Sequence, residues 1–216
     1  MFFFCAAALG AGAKVHVIAF GKWTSAPWSA GMTDDKALTL RVRALIVDGR
    51  VREYATGLPH EVTDRLFVVR RAFRVNDSLP EEPQTRWRWQ RGGWLLVDRL
   101  TGRISAINLA EFDAFYSAAS WYRDYVAYCG VSDDGKKTYA MVAQISRRKP
   151  VLKKALSNDG VAEDAGPDSA CAAPAWERAP IRVSFEAAGA AKQTFAIRGH
   201  VVDVVNDAEE DEEGSK

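Results

Sequence analysis

Residues 38–57, LTLRVRALIVDGRVREYATG, constrain the fold more than any other stretch of this chain. Leu38, Leu40, Val42, Ala44 and Ile46 recur at every second position, the period of a strand with one covered face. Asp48-Gly49 then offers two residues that tolerate positive φ, as both central positions of a type I′ turn require. The register that follows sets Ile46 opposite Val51, Ala44 opposite Glu53 and Arg43 opposite Tyr54. A chain carrying such a hairpin early must supply more strands to cover it.

The rest of the sequence supplies them. RLFVVRRAFRV reads as a strand with Phe67, Val69, Phe73 and Val75 on one side, and Arg71 marks a bulge or an outward-reaching side chain. RWRWQ precedes a break at Gly92-Gly93. GGWLLVDRLTGRISAINL turns at Asp98 to Gly102, and YVAYCGVSDDGKKTYAMVAQI turns at Asp134-Gly135. IRVSFEAAGAAKQTFAIRG forms a late hairpin with Val183 and Phe185 facing Phe195 and Ile197, and HVVDVV adds a last strand. Between RISAINL and YVAYCGV, AEFDAFYSAASWYRD is irregular and aromatic, with room for a short helix over 110–118. The reading is an all-β protein of about ten or eleven short antiparallel strands, arranged as a sandwich, an open barrel or a propeller-like array of sheets.

RWRWQRGGW sharpens that reading. On a strand Trp87 and Trp89 point one way while Arg86, Arg88 and Gln90 point the other, which predicts an indole face turned inward. Stacking on nucleic-acid bases would need the aromatics exposed. Seven tryptophans spread along the chain fit core and rim packing better than one stacking platform.

Two segments resemble β-propeller blades. WLLVDRLTGRISAIN, from Trp94 to Asn108, has the strand–turn–strand with a D-x-x-T-G turn. YVAYCGVSDDGKKTYAMVAQ, from Tyr125 to Gln144, resembles the S-x-D-G-K-x-x-A segment of propellers of the WD40-like and TolB-like kind. The resemblance covers about 35 residues, implies a sheet arrangement and brings no activity with it. No clean repeat of 40 residues runs through the remainder.

Domain organisation follows from composition. Residues 1–13, MFFFCAAALGAGA, have the apolar run and small residues of a secretory signal peptide, with no basic residue before the run. Residues 14–152 form the main β domain. Residues 153–180 shift to Ala, Asp, Gly and Pro and read as a loose loop, 181–206 as a C-terminal hairpin packing on the main domain, and 207–216 as a disordered acidic tail. That tail holds six acids and one lysine, so the body keeps 28 basic against 22 acidic residues, too mild an excess for a dedicated nucleic-acid binder. Hydrophobic content of 48% without an 18-residue apolar run argues for a folded domain that does not insert stably in a membrane. Signal cleavage would leave Cys129 and Cys171, an even pair for an oxidising compartment, so they are expected to form a disulfide in an exported, periplasmic or extracellular protein. The alternative is a cytoplasmic protein with free thiols.

Candidate chemistry is sparse. His16, His60 and His200 show no metal-ligand spacing, and neither a metal nor a cofactor is expected. No G-x-S-x-G elbow, P-loop or dinucleotide fingerprint is present. Glu111, Asp113 and Asp124 flank an aromatic stretch containing Trp121 and Tyr122, and glycosidases set two carboxyls beside sugar-stacking rings. The run SRRKPVLKK places Arg147, Arg148 and Lys149 where a strand ends; the plainer reading is a solvated strand end, and the alternatives are contact with an acidic partner, an anionic envelope surface or the chain's own acidic tail. The favoured expectation is a non-enzymatic exported β-domain that recognises a protein or carbohydrate, or serves as an envelope-associated scaffold. A secreted carbohydrate hydrolase using two of the three carboxylates is the alternative.

Overall fold

The structure is a computed structural model that describes residues 15–28, 38–81, 84–157, 171–187 and 191–198, with the backbone of 201–205. The expected signal segment 1–13, the acidic tail 207–216 and His200 lie outside the described residues. All regular structure among the described residues is β, in three sheets.

The first sheet contains β1 (Ile18–Phe20), β2 (Thr24–Trp28), β3 (Leu38–Val47), β4 (Arg50–Glu61), β5 (Leu66–Asn76), β6 (Trp87–Asp98) and β7 (Ile104–Ile107). Strands β2 to β6 pair antiparallel in chain order. A single parallel pair, Trp28 with Trp89, then returns β6 to β2, so these pairings form a ring. β1 and β7 continue along the parts of β3 and β6 that β2 leaves free.

The Asp48-Gly49 turn has both residues at positive φ, 51° and 77°, and Ile46 faces Val51 as the turn chemistry requires. The register then shifts by one. Arg52 is the extra residue of a bulge, Ala44 lies opposite Tyr54 rather than Glu53, and Arg43 lies opposite Ala55 rather than Tyr54. The even-numbered face of β3 is not covered throughout either. Leu40 and Val42 are buried, but further along it is Leu45 and Val47. Two cores explain the switch. Leu45, Ala55, Phe67, Val69, Leu95 and Val97 pack on one side of the sheet, while Ala26, Trp28, Leu40, Val42 and Ala72 pack on the other.

The same geometry corrects the RWRW reading. Trp89 is half-buried, edge-on to Tyr54 at 5.0 Å and under the Arg74 guanidinium at 4.8 Å. Trp87 shares its direction but is 58% exposed, because β2 reaches β6 only at Trp89 and no other described strand pairs with that side of β6 beyond it. Gly92-Gly93 does not break the strand. Two glycines stand against Arg71 alone, between the pairs Arg70–Trp94 and Ala72–Arg91, so β6 bulges and continues.

The second sheet is an unbroken meander of β8 (Ala119–Tyr122), β9 (Tyr125–Val131), β10 (Thr138–Gln144) and β11 (Leu152–Ser157). The third is another, of β12 (Ala175–Arg178), β13 (Ile181–Phe185), β14 (Gln193–Arg198) and β15 (Val201–Val205). A four-stranded antiparallel meander is also the plan of a propeller blade. β9 is buried at every residue from Val126 to Val131, as a strand covered on both faces must be. Ala127 and Cys129 join Ala140, Val142, Val183, Phe185, Phe195 and Ile197 in a core between the second and third sheets. Val126, Tyr128 and Met141 face the other way, toward Leu109, Phe112 and Trp121. The Cys129–Cys171 disulfide crosses the first of these cores, with Cα atoms 6.3 Å apart.

Three local expectations give way. Residues 110–118 form turns, not a helix, because the Asp113 carboxylate accepts the amides of Phe115 and Tyr116 at 2.7 and 3.1 Å. β8 emerges within the stretch that looked irregular. The span 153–180 holds most of β11 and all of β12, and Trp176 of β12 donates to the Ser120 carbonyl at 3.2 Å.

Asp98 organises the D-x-x-T-G turn. Its Oδ1 accepts the amides of Leu100 and Thr101 at 2.9 and 3.3 Å and the Nε of Arg65 at 2.8 Å, and its second oxygen takes the Arg65 terminal nitrogen. The Arg65 bond foremost, with Thr101 and the turn amides, holds the carboxyl well below the usual carboxylate range. A depressed native pKa contributes stability above the unfolded value of about 3.9 and loses it as pH falls below that. We expect the Tm gap between wild type and Asp98→Asn to be constant from pH 7 to pH 5 and to shrink below about pH 4. A gap that widens in acid would contradict this assignment.

Candidate functional site

A cavity of about 690 Å³ opens where β2, the end of β5, the start of β6 and the 113–115 turn meet. Its existence follows from the bulge in β6. A Cβ on Gly92 would come within 3.2 Å of the Phe73 ring, whereas one on Gly93 would meet nothing within 4 Å. The glycine pair thus lets the strand close on Phe73 while leaving backbone bare beside the cavity.

The floor is a stacked pair. The Arg91 guanidinium lies 4.2 Å over the Trp28 ring and its Nη2 donates to the Phe115 carbonyl at 3.3 Å. Phe115 in turn meets Trp28 edge-on, with centroids 6.3 Å apart. Phe73 and Phe115 give apolar walls, and Asp77, Arg88, Gln90 and Asp113 bring planar polar groups to the same space. Arg88 Nε lies 2.6 Å from the Asp77 carboxylate, and Arg86 approaches it at 3.8 Å. A concave apolar surface with a few fixed polar groups is the usual form of a small-molecule site.

The three carboxylates singled out in the sequence are not brought together. Glu111, at φ 56°, ion-pairs with Lys153 of β11, and its Oε2 is buried without a hydrogen bond. Asp124 accepts the Gln144 amide at 2.7 Å. Only Asp113 lines the cavity, with its Oδ1 committed to the turn amides. The aromatic candidates lie elsewhere. Trp121 stacks on His60 at 6.0 Å and meets Trp94 edge-on at 5.2 Å, and Tyr122 stacks on Trp176 at 5.6 Å. Arg147, Arg148 and Lys149 line a second cavity of about 550 Å³, between β7 and the β10–β11 turn.

Sequence reasoning passed over Trp28, Phe115 and Asp77. Asp77 enters the site through a strand pairing that no local pattern gives. The β5–β6 register pairs Asn76 with Trp87, which puts the next residue beside Arg86 and Arg88. Trp28 comes from a distant segment with nothing around it to mark it, whereas Phe115 lies in the aromatic stretch AEFDAFYSAASWYRD, where Trp121 and Tyr122 were the more conspicuous rings. Among the described residues no three His, Cys, Asp or Glu side chains gather as a metal site, and no helix is long and apolar enough to cross a membrane.

No protein-family model matches the chain, and neither a curated protein nor a solved structure matches it.

Proposed function

We propose that this chain is an exported, non-catalytic recognition domain that holds a saccharide in the Trp28–Phe115 cavity. The observation that carries the reading is the composition of that cavity: two phenylalanine walls, a guanidinium stacked on an indole beneath them, and carboxylate, guanidinium and amide groups at the rim. Sugars present apolar C–H faces and a ring of hydroxyls, and such a surface answers both. Export is supported by the Cys129–Cys171 disulfide, a bond that persists in oxidising compartments. The secretory character of residues 1–13 agrees with it.

Hydrolysis is the second reading, because Asp77 and Asp113 both line the cavity. It is disfavoured by their contacts. Asp77 is engaged by Arg86 and Arg88, and Asp113 by two turn amides, whereas glycoside cleavage needs one carboxyl free to deliver a proton and another free to attack or to activate water.

The test is a panel of neutral and acidic oligosaccharides, read by calorimetry and by reducing-end release in the same samples. We expect at least one glycan to bind without being cleaved, and Gln90→Ala and Arg88→Ala each to weaken it about tenfold, the loss of one or two hydrogen bonds. Absence of binding at millimolar glycan, or binding indifferent to both substitutions, rejects the site. Cleavage that Asp113→Asn abolishes transfers the cavity to the hydrolase reading.

A further inference from the structure

We propose that the second cavity is a docking slot for an extended acidic peptide of another protein, added as a strand to the free edge of β7. The way the slot is lined carries the first part. A strand that shows only a face contributes every second residue, but here Ser105, Ala106 and Ile107 of β7 contribute in unbroken succession, and Asn108 to Ala110 continue the lining past its end. Contiguous lining means that the cavity reaches the edge of β7 as well as the face that Ser105 shares with Leu96.

That edge is open. β7 pairs with β6 through Ile104 to Ile107, and among the described residues no other strand pairs with it. No further backbone or side-chain hydrogen bond reaches Ile104 to Asn108 from a described residue. Alternate main-chain N–H and C=O groups of the strand therefore face the slot unused, which is the template for strand addition.

The opposite wall specifies the charge of the guest. Arg147, Arg148 and Lys149 are exposed along it, no carboxylate lines the slot, and none pairs with these three cations among the described residues. Below them Leu96, Leu109, Ala143 and Pro150 make an apolar floor. Side chains of a strand alternate in direction, so the fitting sequence alternates too: carboxylates toward the cations, apolar residues toward the floor. At about 3.4 Å per residue, four residues of β7 match four to six residues of guest. A lipid headgroup would satisfy the cations yet leave the strand edge unused, and so is the less complete fit.

The test uses the full chain and a labelled eight-residue peptide alternating glutamate and valine, read by fluorescence anisotropy. Arg147→Ala, Arg148→Ala and Lys149→Ala introduced together should weaken binding at least tenfold at 0.15 M salt. Methylating alternate peptide amides, which removes the ladder donors and leaves the protein untouched, should do the same. The proposal is overturned if the triple variant binds as well as wild type, if the methylated peptide binds as well as its parent, or if a glutamine-for-glutamate peptide binds as tightly. It is also overturned if vesicles of anionic phospholipid bind while the peptide does not. The slot and the saccharide cavity share no residue, so the triple variant's glycan binding separates a failure here from a failure of the recognition reading.

Discussion

Removing the Cys129–Cys171 bond is expected to lower the stability of the folded chain by about 4 kcal/mol. The two cysteines are 42 residues apart in sequence, and closing a loop of that size restricts the unfolded chain by this amount in the chain-entropy model. Both partners are buried, Cys129 at the centre of the doubly covered strand β9 and Cys171 beside Ala187 at the border of the third sheet. The bond thus ties a well-packed strand to the start of the last sheet. For a domain of this size the loss corresponds to a Tm lower by about 8–16 °C. The check is urea unfolding of the oxidised protein, of the protein in excess dithiothreitol, and of the Cys129→Ala, Cys171→Ala double variant. The reduced protein and the variant should coincide, with a midpoint well below the oxidised one. Three superimposed curves would show that the bond adds nothing.

Turn chemistry was the most legible part of this fold. Asp48-Gly49, Gly102 and Gly135 all take the left-handed backbone that their turns demand, and each joins the strands expected of it. The cysteine pair was legible from counting. The double cover of β9 went unread, although VAYCGV lacks the alternation of β3 and runs continuously apolar, the pattern of a strand covered on both faces. Bulges were legible only in part. Arg71 marked the place of one, but the extra residue sits in the Gly92-Gly93 pair of the partner strand; Arg52 makes another that no local pattern announces, and every partner beyond each moves with it. The face switch in β3 escaped for a different reason. Alternation reports that a strand has two sides, but which side is covered depends on whether Phe67 or Trp28 arrives there, and both come from elsewhere in the chain. The same physics hid the Trp28–Phe115 cavity, which joins residues from β2, β5, β6 and the 113–115 turn. It also hid the slot. The cations of SRRK were plain in the sequence, but the open edge opposite them is a property of the assembled sheets.

Truncating Phe195 to alanine is expected to cost about 3–5 kcal/mol, the range for large aromatic side chains removed from a closed core. Phe195 has no exposed surface and meets Phe185 edge-on at 5.8 Å and 74°, a geometry that adds to the stabilisation from buried area. It shares its core with Ala127, Ala140, Val142 and Leu156 of the opposing sheet, and the Lys154 ammonium lies 5.5 Å from the centre of its ring. Phe195→Leu keeps most of the volume and should cost no more than about 2 kcal/mol. The informative measurement is the cycle that combines Phe195→Ala with loss of the disulfide. Both act on the contact between the second and third sheets, so their effects should fall short of additivity: once the bond is gone, the third sheet is held less firmly and less is lost with the ring. Tryptophan fluorescence can follow the unfolding, because Trp176 of the third sheet stacks on Tyr122 of the second and reports their separation. Strict additivity within 0.3 kcal/mol would mean that the ring and the bond stabilise independent parts of the molecule, and the two-sheet core described above would have to be redrawn.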